Sequence, residues 1–249
     1  MKNSVHRFIT ISLIETCGFP SDDQLEGLAT ELQKGKSVIV RNVLPRSYCR
    51  DIVEYLSRLR TGTIPTYEPL TNKTPNHFRI NHNDSRASVS GYFEQFNFFM
   101  HNQDIMDLFK EIGHVFRLKD KLSHLMSGRK TQYDSMNPPK GYISRIGFQF
   151  YPKGKGYLSE HCDYAGDNQL IVPTIILSKR GQDYSTGGFY YRTEDGLIID
   201  PEPYIDIGDI ILFNPRLAHG VERISYDSTY NWKSCEGRWM AFATTTKTT

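Results

Sequence analysis

The chain has 249 residues, of which 38% are hydrophobic and 12% aromatic, and a formal net charge of +2. This length suits one large domain or two small ones, and the supply of Tyr and Phe suits a β-rich core, which argues against disorder. The small net charge, with basic and acidic residues evenly mixed, argues against the basic surface that nucleic-acid binding requires.

The cysteines and the apolar segments point to a cytoplasmic protein. Cys17, Cys49, Cys162 and Cys235 lie far apart and form no CxxC pair, which argues against a structural zinc site and a disulfide framework. We therefore expect reduced thiols. The apolar run at 8–14 is too short for a signal peptide, and no stretch is long enough to cross a bilayer, so no membrane partner is expected.

The first half of the chain predicts mainly helices. Three helices are predicted, at 21–32, 47–59 and about 104–123, the last with one or two breaks. The first begins with a Ser-Asp-Asp cap and places Leu25, Leu28 and Leu32 at helical spacing. A strand is predicted at 37–43. Residues 61–90 are polar without a clear period and predict a loop.

From residue 141 onward the pattern changes to short strands separated by Gly, Asp, Asn and Pro. The predicted strands lie at 143–151, 169–177, 188–192, 197–199, 210–213, 220–224 and 238–244. Seven short strands suggest a barrel or a sandwich. Because no repeat or linker separates the two halves, we expect a single domain over 1–249, with helical and early-strand support in 1–140 and the barrel core in 141–249.

Three residues are candidate metal ligands: His161, Asp163 and, 58 positions after His161, His219. Two histidines and one carboxylate in this order are typical of a facial triad that binds iron. The motif alone is weak, because eight histidines give roughly one accidental His-x-acid match. The chain in fact contains a second match, His82-Asn-Asp84.

The context favours the first motif as the metal site. His161 follows a strand and a glycine-containing turn at 151–156, where side chains of alternate residues face one cavity. On an extended backbone His161 and Asp163 point to one side and Cys162 to the other. A closing strand at His219 would supply the third ligand, and three coordination positions would remain open.

The stretch from Tyr151 to Phe242 resembles the catalytic core of the 2-oxoglutarate- and iron(II)-dependent dioxygenases, nearest to their prolyl-hydroxylase-like branch. Five ordered pieces carry the resemblance: Tyr151-Pro-x-Gly through Gly156 to His161-x-Asp163, Gly187-Gly188, Ile207-Gly-Asp-Ile-Ile-Leu-Phe213, His219-Gly-Val221 and Gly237-Arg238-Trp-Met-Ala-Phe242. It implies a mainly β fold with flanking α-helices: a double-stranded β-helix, that is, a jelly-roll or cupin-like barrel, with helices packed outside. It also makes 141–249 the catalytic core.

The resemblance implies an enzyme that holds Fe(II) with His161, Asp163 and His219 and uses 2-oxoglutarate and O2 as cosubstrates. The expected reaction is hydroxylation, or another oxidation, of a C–H bond in a small polar metabolite such as an amino acid or natural-product intermediate, carboxylate-bearing ones included. An aspartate at position 163 argues against halogenation, because halogenases of this family carry a small residue there.

The resemblance assigns Arg238 and Tyr151 to the far carboxylate of 2-oxoglutarate, and a planar guanidinium suits that role. Two departures from the family pattern keep Arg223 as an alternative to Arg238. The 19 residues from His219 to Arg238 require a loop at 226–236, and Met240 stands where many members have Ser or Thr.

Three further residues are candidates for substrate binding. Arg145, Gln149 and Tyr151 alternate along one predicted strand and therefore share a side, where a cation would grip a substrate carboxylate. An exterior salt bridge is the alternative for Arg145. Arg79, together with Asn81 and His82, lies in the polar segment that would cover the site.

Two other functions stay open on the sequence. One is a protein or peptide prolyl-type hydroxylase, and an open groove rather than a covered cavity would favour it. The other is a non-catalytic jelly-roll protein that binds metal. The sequence leaves open the substrate, the choice among hydroxylation, desaturation and cyclisation, and the oligomeric state.

Overall fold

The computed structural model describes residues 8–12, 20–62, 76–85, 87–102, 104–129, 132–166 and 169–248. Within these ranges the chain forms twelve strands, four α-helices and one short 3₁₀-helix. In chain order they are β1 Phe8–Ser12, α1 Asp22–Gln33, β2 Ser37–Arg41, α2 Arg46–Gly62, β3 His77–Ile80, β4 Gly91–Phe99, α3 Leu108–Glu111, α4 Gly113–Ser127, β5 Tyr142–Pro152, β6 Tyr157–His161, β7 Val172–Ile176, β8 Gly188–Arg192, β9 Ile198–Ile199, the 3₁₀-helix Glu202–Tyr204, β10 Ile210–Phe213, β11 Ala218–Glu222 and β12 Gly237–Lys247.

The predicted helices are confirmed, with small shifts of their ends. Helix α1 begins at a capping box, in which Ser21 and Gln24 satisfy each other's backbone N–H groups, and it buries its leucines. The third predicted helix is broken once, at Ile112, into α3 and α4. Asp104 caps α3 by accepting hydrogen bonds from the N–H groups of Leu108 and Phe109 at 2.7 and 2.9 Å.

The strands form two sheets that face each other. The larger sheet has the order β1-β2-β10-β7-β12-β5-β4, with β3 paired to the free side of β4, and the smaller one has the order β6-β11-β8-β9. A short pairing of β4 with β6 joins the two sheets, and β1 and β2 form the one parallel pair among the described strands. This arrangement is a curled, mainly antiparallel sheet with an interior between its two halves.

The longest ladder, β5 with β12, separates the outside of the large sheet from the interior. On the outer side, alternate residues such as Phe148 and Ala241 belong to a core shared with α1, α2 and α4. On the inner side, Tyr151 and Met240 pack between the two sheets. The prediction of a mainly β protein with helices packed outside is therefore confirmed.

The strand prediction was incomplete in four places. Strand β1, Phe8–Ser12, lies in the apolar run 8–14, for which no strand was predicted. The segment 61–90 was predicted as loop, but it contains β3 at His77–Ile80. Strand β4 was missed because both of its faces are largely buried, so its sequence GYFEQFNFF shows no alternation. Strand β6 was missed because it is short, polar and half exposed. His161 therefore ends a strand of its own rather than following a turn.

Two structural findings concern the apolar segments and the cysteines. No described helix is long and apolar enough to cross a membrane. Cys49, Cys162 and Cys235 are free thiols. The prediction for Cys17 lies outside the described residues.

Candidate metal centre

The three predicted ligands meet at the ends of two paired strands of the small sheet. His161 ends β6 and lies directly across from His219 in β11, with ring centroids 4.4 Å apart. Asp163 follows, and its backbone N–H donates to the Pro215 carbonyl at 2.9 Å. The three ligand atoms lie within 4.8 Å of one another, and within the described ranges no other His, Cys, Asp or Glu group is so arranged.

Both imidazole rings are oriented by the backbone. Nδ1 of His161 lies 2.9 Å from the Ser159 carbonyl, and Nδ1 of His219 lies 2.8 Å from the Leu217 carbonyl. Because a carbonyl only accepts, each Nδ1 carries a proton, and Nε2 is the atom left to bind a metal once it is deprotonated. The two Nε2 atoms lie 3.5 Å from the two carboxylate oxygens of Asp163. This is how metal-binding histidines are held in a fixed tautomer.

Without a metal, the carboxylate and the imidazoles share protons. Burial opposes the charge of Asp163, but hydrogen bonds from His161 and His219 outweigh it and hold the pKa of Asp163 well below its usual range. Burial also opposes a charge on His161, but its hydrogen bond to Asp163 outweighs this and raises the pKa of His161. The site therefore favours an anionic carboxylate and a positive charge beside it.

The triad opens into a cavity of about 210 Å³ between the two sheets. Apolar side chains surround the metal ligands, while β5 contributes Arg145, Gln149 and Tyr151 to the lining. A wider cleft of about 580 Å³ shares His161, Asp163, Arg145 and Gln149 with the cavity and is bordered by residues 87–89. The mouth of the site is thus formed by loops and strand ends, not by helices.

Arg238 lies deeper in the barrel than the cavity lining, one inward-facing position before Met240, and is only 1% exposed. Its Nε donates to Glu202 Oε1 at 2.8 Å. Glu202 also accepts from the Tyr184 hydroxyl at 2.6 Å and from the Phe189 N–H at 2.7 Å. Burial opposes the charge of Arg238, but Glu202 raises its pKa. Nη1 of Arg238 is buried and lacks a hydrogen-bond partner among the described residues.

A chain of amide side chains starts at Tyr151 and crosses from β5 to β4. The fully buried Tyr151 hydroxyl donates to Gln149 Oε1 at 2.6 Å, and burial raises the pKa of Tyr151. Gln149 Nε2 donates to Gln95 Oε1, and Gln95 Nε2 donates to Asn97 Oδ1, both at 2.9 Å. These bonds fix the orientation of both glutamine amides at the cavity wall.

Other sequence candidates lie apart from the triad. Arg79 is on β3 and forms an ion pair with buried Glu94, with its Nε 3.2 Å from Glu94 Oε1, and it lines neither the cavity nor the cleft. His82, from the second His-x-acid motif, contacts the Tyr157 hydroxyl instead. Arg223 is exposed and borders a separate groove with Tyr190 and Ile198. Of the two arginines weighed for the cosubstrate, only Arg238 faces the barrel interior.

Two residues of this region were missed by sequence reasoning. Glu202 sits in a short 3₁₀-helix 36 positions before Arg238, and no local pattern links the two. Phe242 lies beneath Arg145, with the guanidinium carbon 5.3 Å from the ring centroid. That the Phe242 side chain points inward could have been predicted, because it alternates with Arg238 and Met240 on the predicted strand.

Comparison with solved structures identifies the fold. The chain is similar to a Pseudomonas putida prolyl-4-hydroxylase (TM-score 0.54, 13% identity, 90% of this chain and 98% of that one). It is also similar to a full-length Neurospora crassa protein solved in complex with alpha-KG (0.57, 13%, 96% and 84%). A third is a Trichoplax adhaerens prolyl hydroxylase bound to a hypoxia inducible factor peptide fragment (0.52, 15%, 89% and 89%).

Neither a family model nor a curated protein sequence matches the chain. At 13–15% identity the likeness to the solved structures shows the fold alone. That fold is the double-stranded β-helix, as the ordered motifs between Tyr151 and Phe242 predicted.

Proposed function

We propose that this protein is an Fe(II)- and 2-oxoglutarate-dependent dioxygenase that oxidises a C–H bond of a small polar molecule, with hydroxylation as the default outcome. One observation carries the proposal. In the mouth of a double-stranded β-helix, two imidazole Nε2 atoms lie 3.5 Å from one carboxylate, and both rings are held by backbone carbonyls.

The donor set suits ferrous iron. Two neutral imidazoles and one carboxylate are the ligands of non-heme iron oxygenases, whereas structural zinc sites use four protein ligands, thiolates included. His161 and His219 would donate through Nε2 and Asp163 through a carboxylate oxygen. Cys162 would not take part, since its thiol contacts the Arg216 carbonyl. The remaining coordination positions would be left to cosubstrates.

Arg238 is our candidate for the far carboxylate of 2-oxoglutarate. A buried Nη1 without a partner is costly, and a carboxylate reaching past Met240 would satisfy it. Glu202 holds the other side of the guanidinium, so Arg238 is oriented before any ligand arrives. Tyr151 lies across the ladder from Arg238, and it would bind the same carboxylate if its hydroxyl turned from Gln149.

When bound, iron with 2-oxoglutarate and O2 supplies an oxidant that places one oxygen atom on the substrate while 2-oxoglutarate becomes succinate and CO2. The chain's own residues hold and shield these groups. Phe189, Phe213, Val221 and Met240 line the inner cavity and exclude water from it. The backbone carbonyls keep His161 and His219 in the metal-binding tautomer throughout.

The wider cleft, of about 580 Å³, has the size of a small-molecule site and is the space left for the substrate once 2-oxoglutarate fills the inner cavity. The triad faces a cavity of about 210 Å³, and the wider cleft begins only beyond it. The Neurospora crassa protein, one of the similar structures, is described with thymine bound, while the Trichoplax prolyl hydroxylase is described with a peptide. A peptide prolyl hydroxylase therefore remains the second candidate, and the test includes it.

We further propose that residues 1–249 act as one domain in the cytoplasm. Strand β2 pairs with β10 and β4 pairs with β5, so the first half of the chain contributes strands to the sheet of the second half. The three free thiols of the described residues suit a reducing compartment.

The test begins with anaerobic titration of the metal-free protein with Fe(II) and then with 2-oxoglutarate, followed through the absorbance of the iron-cosubstrate chelate. Exposure to air with pools of amino acids, nucleobases and proline-containing peptides follows, with succinate and a mass gain of one oxygen as readouts. We expect chelate formation and succinate with a small-molecule pool. Chelation followed by turnover only with peptides would support the prolyl hydroxylase. Failure to chelate 2-oxoglutarate would support a non-catalytic metal-binding protein.

A further inference from the structure

Arg145 lies where the inner cavity meets the wider cleft. It is half-buried on the inner side of β5, and it lines both spaces together with His161, Asp163 and Gln149. A group bound to Arg145 would therefore lie in the same enclosed space as the metal ligands. The inference below concerns the ligand of this cation, and it rests on the proposed oxygenase function.

Arg145 has no ionic partner among the described residues. Its Nε is buried without an acceptor, and burial lowers the pKa of Arg145 to about 10. Other buried or half-buried arginines of the chain do have acidic partners: Arg41 with Asp209, Arg50 with Asp183, Arg60 with Glu94 and Arg238 with Glu202. A desolvated cation without a counter-ion is costly, so its retention calls for a ligand that compensates the charge.

The guanidinium is nevertheless held in place. Gly147 leaves room for the ring of Phe242, since a Cβ atom at position 147 would lie 2.2 Å from that ring's Cζ. Phe242 is the direct cross-strand partner of Gly147, and Arg145 lies over its ring. A cation–π contact holds the guanidinium without supplying a carboxylate or carbonyl acceptor for its N–H donors.

The surroundings of Arg145 favour an anion. Near it the cavity wall carries neutral polar groups, those of Gln149, Gln169 and Thr244. Among the described residues that line the cavity and the cleft, Asp163 is the one acid, and it belongs to the metal site. The second cation of the cleft, Lys247, is exposed to water.

We propose that Arg145 binds a carboxylate group of the substrate, so that the substrate class is small monocarboxylic acids, amino acids included. The planar edge of a guanidinium offers two parallel donors that match the two oxygens of a carboxylate. One guanidinium balances one carboxylate. A doubly charged phosphate would leave an uncompensated charge beside the apolar lining.

The proposal is tested by protection of Arg145 from phenylglyoxal, which modifies accessible guanidinium groups. The full chain, loaded with Zn(II), is treated with phenylglyoxal with and without saturating 2-oxoglutarate. At saturating 2-oxoglutarate the treatment is repeated in the presence of propionate or propionamide, and the modified peptides are quantified by mass spectrometry. Propionate should slow modification of Arg145 by the factor 1 + [L]/Kd, about tenfold at ten times its Kd, and propionamide should not. Exposed Arg223 provides the control within the same molecule, because neither compound should alter its rate.

Three results would overturn the proposal: an Arg145 that phenylglyoxal does not modify, equal protection by propionate and propionamide, or protection by 2-oxoglutarate alone. The last result would make Arg145 a cosubstrate residue. Failure of the oxygenase proposal gives a different outcome. If the protein binds no 2-oxoglutarate, the same comparison of acid and amide on the metal-free protein still decides whether Arg145 is a carboxylate site.

Discussion

The two inward-facing arginines of the β5–β12 ladder have opposite environments. Arg238 lies across from Tyr151 and Arg145 across from Thr244, six residues along the ladder or about 20 Å apart at ~3.3 Å per residue. Arg238 is fully buried and ion-paired with Glu202, whereas Arg145 is half-buried and lies over the ring of Phe242. The protein itself thus compensates the charge at one end and leaves the charge at the other end to a ligand.

The largest effect is expected from removing the metal site, which shares the barrel interior with both arginines. His161→Ala removes one of three ligands, so metal affinity should fall by more than the roughly 10- to 100-fold loss typical of outer-shell changes, and turnover should be lost with it. Metal content after dialysis and succinate production measure this. His82→Ala, from the second His-x-acid motif, is the matched control and should retain both.

If His161→Ala retained metal and full activity, the assignment of the triad would be wrong. The thermal melt of the metal-free variant adds a second readout. At a pH above the pKa of His161 it should stay close to that of the metal-free parent, because His161 is half-buried and belongs to none of the hydrophobic core clusters of the described residues. A variant that failed to fold would be replaced by His161→Gln, which preserves most of the volume.

The same substitution at the two arginines should have unequal effects on stability. Arg238→Met leaves Glu202 as a buried charge without a cation, which typically costs about 3–5 kcal/mol. Arg145→Met removes a desolvated cation that has no counter-ion, so the free energy of unfolding should change by less than about 1 kcal/mol. Urea denaturation of the metal-free proteins measures both. Equal losses would show that Arg145 is as much a structural residue as Arg238.

A smaller change would leave Arg238, like Arg145, without an acidic partner among the described residues. Glu202→Gln retains an acceptor for Arg238 but removes the negative charge and the acceptor for the Tyr184 hydroxyl. We expect lower stability together with tighter 2-oxoglutarate binding, by about tenfold, equivalent to one charge-assisted hydrogen bond of ~1.5 kcal/mol. Glu160→Gln, which breaks an exposed ion pair with Arg192, is the control and should change neither.

Weaker 2-oxoglutarate binding in Glu202→Gln would mean that Glu202 serves only to orient Arg238. Unchanged binding would place the cosubstrate carboxylate elsewhere. Titration of the anaerobic iron complex measures the affinity directly, and a urea denaturation curve of the same variant separates a loss of binding from a loss of folding.

Part of this arrangement of the two arginines could be predicted from the sequence alone. Alternation along the predicted strand placed Arg145, Gln149 and Tyr151 on one side, and all three line the inner cavity. The order of motifs predicted the double-stranded β-helix. The partner of Arg238 could not be predicted, because Glu202 reaches it from a separate turn through the curvature of the sheet.

Burial explains why strand β4 was missed. Strand β4 carries Glu94, Gln95 and Asn97 into buried positions, so polarity along it reports hydrogen bonding rather than exposure. A pattern method that equates polar with exposed therefore fails on this strand. Gln95 of this strand accepts a hydrogen bond from Gln149 at the cavity wall, so the missed strand supports the site itself.

The smallest expected effect is a dependence on pH. It is expected at the metal site and not at the two arginines, because both arginines stay charged near neutrality. In the metal-free protein the pKa of His161 is raised above its usual 6.5 by Asp163, although burial opposes this. Its stabilising contribution is fully present below the unfolded pKa and is lost as pH rises through the folded pKa. Metal requires neutral His161, so metal affinity should rise over the same interval.

Thermal melts from about pH 5.5 to 8.5, with and without Zn(II), test whether the stability of the metal-free protein and the metal affinity change in opposite directions. The melting temperature of the metal-free protein, taken relative to His161→Gln, should fall with rising pH, and the increment gained from Zn(II) should grow. A difference between the two proteins that stays flat across this range would mean that His161 and Asp163 do not share a proton. Their carboxylate–imidazole contact would then form only once a metal draws the ligands together.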